Sequence, residues 1–148
     1  MLEDIVFCDL KEEYLDEVFA IEKDNILEAW SYENIRSLIC DEKARARVGL
    51  CNGKVICYYS FYVIVGEGFI NNLAVDKEYQ HKGVGTKLMQ DMISVAKSES
   101  VSALTLEVED GNEAAIALYE KFGFKEEGRR YGFYKNKKDA LIMWLRDI

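Results

Sequence analysis

Proline is absent from this 148-residue chain, histidine occurs once, and the four cysteines form no C-x-x-C pair. No physical reason for the missing proline is evident. The shortage of metal ligands is more telling. Without a C-x-x-C pair, and with His81 the one histidine to help ligate a metal, no metal is expected, and Cys8, Cys40, Cys51 and Cys57 read as reduced thiols. Long hydrophobic runs are missing too. The longest, VICYYSFYVIV (Val55 to Val65), is broken by Ser60 and falls short of the roughly 20 residues that cross a bilayer as a helix. Basic charge is in deficit, with 19 Lys and Arg against 27 Asp and Glu, a net charge of −8. Nucleic-acid binding works largely by neutralising phosphates, so this balance argues against it. An acidic body instead suits a cationic substrate, or is simply a solvated surface. The opening MLEDIVFCDL carries Glu3 and Asp4 where a secretory leader would be basic and then apolar, and a cytoplasmic location is expected.

What remains is patterned as one domain, residues 1–148, with no repeat or linker. Ile5 to Asp9 is a strand candidate, and Leu15, Val18, Phe19 and Ile21 recur at helical spacing between Glu12 and Asp24. Ser31, with Asn34 three residues on, caps a second helix carrying Ile35, Leu38 and Ile39. Asn52-Gly53 between two β-rich runs is a strong hairpin signal, because a type I′ turn needs positive φ at both positions. Gly66-Glu67-Gly68 marks a second turn before the strand FINNLAVD. A helix then follows with Val84, Leu88, Met92 and Val95 on one side and Met89 and Ala96 beside them. ALTLEV alternates into a strand, Asn112 caps EAAIALYEKF, and Gly123 closes that helix. FKEEGRRYGFY and DALIMWL read as two last strands joined by KNKK. The order β-α-α-β-β-β-α-β-α-β-β predicts a mixed α+β fold around one sheet.

Between strand and helix lies QHKGVGTKLMQDM, with Gly83 and Gly85 one residue apart. A Walker A loop would need lysine directly after its last glycine, but Thr86 stands there. A dinucleotide fingerprint would need a third glycine where Leu88 is found. The reading that survives uses the helix start itself. First-turn N–H groups lack partners and carry a partial positive charge. Glycines let successive N–H groups converge on an anion, and His81, Lys82 and Lys87 add local positive charge. A pyrophosphate fits such a nest, although an empty turn would look the same.

NNLAVDKEYQHKGVGTKLMQ resembles the core motif of the GNAT superfamily of N-acetyltransferases, in which Q/R-x-x-G-x-G/A holds the pyrophosphate of acetyl-CoA. LTLEVEDGNEAAIALYEKFGFKEEGRR, the RRYGFY and DALIMWL tail and Trp30-Ser31 resemble its RimI-type branch, the ribosomal-protein alanine N-acetyltransferases. The similarity covers most of the chain and is densest from Asn71 to Arg130. It implies the GNAT fold, a twisted and mostly antiparallel sheet of about seven strands flanked by about four helices. By the same resemblance, the backbone of Leu73, Ala74 and Val75 pairs with the pantetheine arm, an edge-strand interaction. His81, Lys82, Gly83, Val84, Gly85 and Thr86 cradle the phosphates, and Asn112 reaches the cofactor besides capping its helix. Glu107 is implied as general base, its pKa raised by partial desolvation, and Tyr119 as proton donor to the departing thiolate. An outward surface glutamate, a packed tyrosine and a solvated loop histidine are the plainer readings of Glu107, Tyr119 and His81. His81 and Lys77 replace the frequent arginine and proline, and Glu109, Asp110 and Gly111 replace more usual basic and small residues. The acidic pair bears on which amine is accepted.

The expected reaction is direct attack of a neutral amine on acetyl-CoA in a ternary complex. The expected partner is the basic N-terminus of a ribosomal protein, with Tyr131 and Tyr134 along its path. No cysteine falls at a catalytic position of the resemblance, which disfavours an acetyl-cysteine route. Alternatives are a small-molecule amine acetyltransferase acting on a polyamine or amino sugar, and a non-catalytic acetyl-CoA sensor. The oligomeric state is not legible.

Overall fold

The computed structural model describes residues 4–26 and 28–148; Glu3, used above for the leader reading, lies outside them. Among the described residues the chain forms strands β1 (Val6–Asp9), β2 (Ala44–Cys51), β3 (Lys54–Ile64), β4 (Glu67–Val75), β5 (Ala103–Glu109), β6 (Lys125–Arg130) and β7 (Ala140–Arg146). Helices α1 (Leu15–Asn25), α2 (Tyr32–Ser37), α3 (Val84–Ser98) and α4 (Glu113–Lys121) are threaded between them in the predicted order. The strands make one sheet in the order β1-β2-β3-β4-β5-β7-β6. Each neighbouring pair is antiparallel except β4 with β5.

Two apolar layers hold helices to opposite faces. Leu15, Val18 and Ile21 of α1 and Ile35 of α2 pack on Val48, Val55, Tyr58 and Ala74 of the sheet. Val84, Leu88, Met89, Met92 and Ala96 of α3 pack on Ile56, Tyr59 and Phe61 and on Leu104, Leu106 and Val108 of β5. The caps are those expected. Ser31 Oγ accepts from Asn34 N–H at 3.1 Å, and Asn112 Oδ1 accepts from Ala115 N–H at 3.3 Å. Asn52 and Gly53 take φ of 52° and 79°, the type I′ pattern.

Several boundaries differ from expectation, among them α2, which stops at Ser37, short of Leu38 and Ile39. The helix expected from Glu12 opens with a 3₁₀ turn, Glu12–Tyr14, before α1. The second hairpin turns at Val65 and Gly66, with φ of 48° and 77°, while Glu67 and Gly68 already belong to β4. Gly68 is there for closeness rather than for turning: a Cβ on it would lie 2.5 Å from Leu104 Cδ2. Strand β6 stops at Arg130, and residues 131–139 form a loop longer than KNKK, held where Gly132 N–H donates to Asp139 Oδ1 at 2.8 Å. Among the described residues no helix is long and apolar enough to cross a membrane.

Val65 is β-branched, left-handed and 96% exposed, so nothing packs against it to offset the strain. Replacing it with asparagine, which accepts that conformation, is expected to stabilise the protein by about 1 kcal/mol. A thermal melt checks this: Val65→Asn should melt a few degrees higher, and an unchanged or lower midpoint would contradict it.

Candidate active site

Strands β4 and β5 pair at Glu67 with Ala103, Gly68 with Leu104 and Phe69 with Thr105, and then separate. Beyond those pairs β4 runs on to Val75 and β5 to Glu109. The gap is a cleft of about 530 Å3 lined by both strands, the end of α1, the α1–α2 loop, one face of α4 and the β6–β7 loop. Residues Asn112, Ala115 and Tyr119 give that face of α4, at the i, i+3, i+7 spacing that aligns side chains along a helix.

The cleft exposes backbone as well as side chains. Asp76 N–H donates to Ile56 C=O at 2.8 Å. Alternation along an antiparallel ladder then turns Ala74 toward β3 and leaves the N–H and C=O of Leu73 and Val75 on the open edge. Of the three residues expected to pair with a ligand's amides, Ala74 is therefore the exception. It is buried in the layer beneath α1.

Past β4, Gln80 folds back to donate to Val75 C=O (3.0 Å) and Asn25 Oδ1 (2.9 Å), anchoring the glycine loop to β4 and α1. His81 and Gly83 are left-handed, with φ of 62° and 84°, and Gly83 is the residue from which α3 starts. The bond from Lys87 N–H to Gly83 C=O (3.3 Å) begins the helix, so the N–H groups of Val84, Gly85 and Thr86 have no intrahelical acceptor. Gly85 is not a second curling residue. It has helical φ, and a Cβ there would lie 3.1 Å from Leu118 Cδ2, so its role is to let α3 approach α4. The Val84 side chain is core, leaving only its backbone for a ligand. Lys82 Nζ lies 5.7 Å from the Tyr79 ring centroid. Lys121, which the sequence did not single out, donates to Thr86 Oγ1 at 3.1 Å.

Glu107 lines the cleft between buried Leu106 and Val108 and is ion-paired with Arg130. Its side chain is 34% exposed, because the pleat turns it away from the core. Tyr119 is buried against Phe124, with ring centroids 5.9 Å apart, and burial pushes its phenol above the ordinary value, helped by nearby Tyr134. Tyr134 lines the cleft and is pushed up to about 12, by burial first and then by Glu107, Glu109 and Glu28. Tyr131 is 83% exposed and does not line the cleft. Glu109 and Asp110 are both neutralised, Glu109 by Lys138 (3.3 Å) and Asp110 by Arg129 (2.8 Å). Among the described residues, no cluster of three or more His, Cys, Asp or Glu could hold a metal.

The residue most clearly missed by sequence reasoning is Glu22, which is wholly buried at the inner end of the cleft. It accepts from Trp30 N–H at 2.8 Å and from Asn72 Nδ2 at 3.2 Å, and Asn72 Oδ1 accepts from Ser60 Oγ at 2.9 Å. One carboxylate thus ties α1, the α1–α2 loop and β4 together. Leu15, Val18 and Glu22 fall at i, i+3 and i+7, so a carboxylate on the apolar stripe was the available signal.

Burial raises the Glu22 pKa, and the bonds from Trp30 and Asn72 only partly oppose that. The stability contributed by its proton is fully present below the ordinary carboxylate value and is lost as pH rises through the raised folded value. Glu22→Gln carries no such titration. Melting both proteins from pH 4 to 8 should show the variant gaining on wild type as pH rises; parallel curves would mean that Glu22 ionises normally.

A family model described as "Acetyltransferase (GNAT) family" matches residues 5–124. The Escherichia coli (strain K12) protein named [Ribosomal protein bS18]-alanine N-acetyltransferase is 39% identical over 97 residues, spanning 64% of this chain and 66% of that protein. A crystal structure of the ribosomal-protein-S18-alanine N-acetyltransferase from Escherichia coli superposes with a TM-score of 0.89 at 32% identity, covering 97% of this chain and 94% of that one. A chain of the NatC complex, whose crystal structure is described as bound to Gag peptide and CoA, superposes at 0.85 with 25% identity over 96% of this chain and 98% of its own. The expectation carried by the glycine loop and the strand after it is met: the chain belongs to the GNAT family of acetyltransferases.

Proposed function

We propose that this protein transfers the acetyl group of acetyl-CoA to a primary amine, the preferred acceptor being the N-terminal α-amino group of an alanine on a ribosomal protein. The observation that carries this reading is the single cleft between β4 and β5. It gathers Glu107, Tyr119, Asn112 and Leu73, while the glycine loop lies outside its lining and meets it through Gly85 packed on Leu118 of α4. The residues present suit acetyl-CoA. Leu73 offers its N–H and C=O, and Val75 its N–H, to an extended amide-bearing arm, the Val75 C=O being taken by Gln80. Gly83 and the first turn of α3 offer N–H groups to a pyrophosphate, with Lys82 and Lys121 nearby. Bound there, acetyl-CoA supplies an activated thioester.

The chain's own groups do the proton work. Glu107 takes a proton from the incoming ammonium, directly or through a water, so that a neutral amine attacks. An α-amine with pKa about 7.7–8 is roughly one-tenth to one-fifth neutral at pH 7, whereas a lysine near 10.4 is neutral only about once in a few thousand. An N-terminal acceptor therefore asks far less of a carboxylate that is partly solvated. Tyr119 stays protonated because burial raises its phenol. The same shift widens the gap to a thiol near about 8.5, so Tyr119 acts mainly by donating a hydrogen bond to the departing sulfur. Holding amine and thioester together contributes positionally.

A second reading is favoured by one contact. Lys135 N–H donates to Glu28 Oε2 at 2.6 Å, joining the β6–β7 loop to the α1–α2 loop beside the cleft. A persistent tether there suits a short amine over a long peptide tail. Rates on alanine amide and on tail peptides of increasing length separate the two: a rise with length supports the protein substrate, and a flat profile supports the small amine.

Glu107→Gln and Tyr119→Phe are each expected to lower kcat by about a hundredfold while leaving coenzyme A affinity, read by calorimetry, near that of wild type. Unchanged turnover in both variants would overturn the roles given to Glu107 and Tyr119, whereas coenzyme A binding with no turnover in wild type would leave an acetyl-CoA sensor as the better account. Acetylation of a peptide library, read by mass spectrometry, should favour the α-amine over lysine.

A further inference from the structure

On β4, Asn72 pairs with Ser60 and Ile70 with Phe61, so Asn71 is an extra residue without a ladder partner. It is a β-bulge, placed just after the last pair that β4 shares with β5. Its neighbour Asn72 is fully engaged by Glu22 and Ser60. Asn71 is not: it lines the cleft, and its Nδ2 is buried with no hydrogen-bond partner among the described residues. A buried amide donor without an acceptor costs free energy that an apolar side chain of similar shape would not. Among the described residues the other such group, Tyr58 Oη, sits in the apolar layer under α1 and lines neither that cleft nor the smaller cavity beside α1. Of the two, only Asn71 has a ligand space to face.

An amide nitrogen donates and does not accept, so its partner must be a ligand oxygen with a free lone pair. We propose that Asn71 is a substrate-binding residue whose Nδ2 donates to a carbonyl oxygen of a substrate held in the cleft. The inference rests on the acetyl-transfer reading, which brings two such oxygens to the site, the thioester's and that of the acceptor's first amide. Both are the same chemistry to Asn71. Neither Glu107 nor Tyr119 duplicates the contact, since Glu107 is engaged by Arg130 and the proposed partner of Tyr119 is the sulfur.

The test is steady-state acetylation of alanine amide by wild type, Asn71→Leu and Asn71→Ala, with a melting curve for each. Asn71→Leu removes the orphan donor at similar size and is expected to melt at or above wild type while losing about tenfold or more in kcat/KM. Asn71→Ala keeps the test open if leucine does not fit the bulge, and should show the same loss. A higher KM for alanine amide at unchanged kcat assigns the oxygen to the acceptor; a lower kcat or a higher KM for acetyl-CoA assigns it to the thioester. Variants that keep wild-type kcat/KM, or that lose activity only together with stability, overturn the proposal and leave the reaction intact. A wild-type protein that acetylates no amine takes down the reaction and this inference with it.

Discussion

Strands β4 and β5 hold together over three residue pairs and then part, and most of what this molecule offers a ligand follows from that separation. Gly68 draws β4 tightly onto Leu104 at the closed end. The bulge at Asn71 comes immediately afterwards, and a bulge increases local twist, which carries β4 away from its parallel neighbour. An open sheet edge is normally a liability, because unpaired N–H and C=O groups template aggregation. Here the edge faces a cleft roofed by α4 and two loops, so what pairs with it must be slender and extended.

Keeping the gap open requires β4 to be held from its other side. The buried Glu22 provides this, bonding Asn72 next to the bulge and the Trp30 N–H at the cleft wall. A charge in that position is expensive in folding terms unless its lone pairs are filled, and among the described residues no cation pairs with it; amide donors fill them instead. Gln80 secures the far end of β4, bonding both Val75 and Asn25. The geometry of the open edge is therefore set by polar contacts, while apolar layers on either face supply the bulk of the cohesion.

The order of elements, the Asn52-Gly53 turn and the caps at Ser31 and Asn112 were legible because each is a local rule with a short sequence signature. The turn at Val65 was not, since a β-branched residue at positive φ contradicts propensity, and Gly68 looked like turn chemistry when it serves a contact with Leu104 some 36 positions later. Gly85 misled for the same reason, its neighbour being Leu118. Around the cleft, Glu107, Tyr119, Leu73 and Asn112 were found by resemblance and lie together. Glu22 and Asn72 were not found, as their partnership spans 50 residues and joins two elements that no local pattern connects. The bulge at Asn71 depends on register, which a lone strand does not encode.

The charge at the cleft mouth shows how an acidic protein can be ready for a cation without leaving its carboxylates bare. Glu107 is paired with Arg130, Glu109 with Lys138, Asp110 with Arg129, and Glu28 accepts from Lys135 N–H. Every one of those donors comes from residues 129–138, three of them cations and the fourth a backbone N–H. Exposed pairs of this kind contribute at most about 1 kcal/mol, so exchanging one for a substrate ammonium costs little. Arg130 is the member best placed to yield. It is more than half exposed, and its guanidinium sits 5.6 Å from the Phe133 ring centroid, a second favourable position for the charge once Glu107 is taken. In the proposed reaction the acceptor would thus replace an internal cation at Glu107, and the carboxylate would pass from one positive partner to the next.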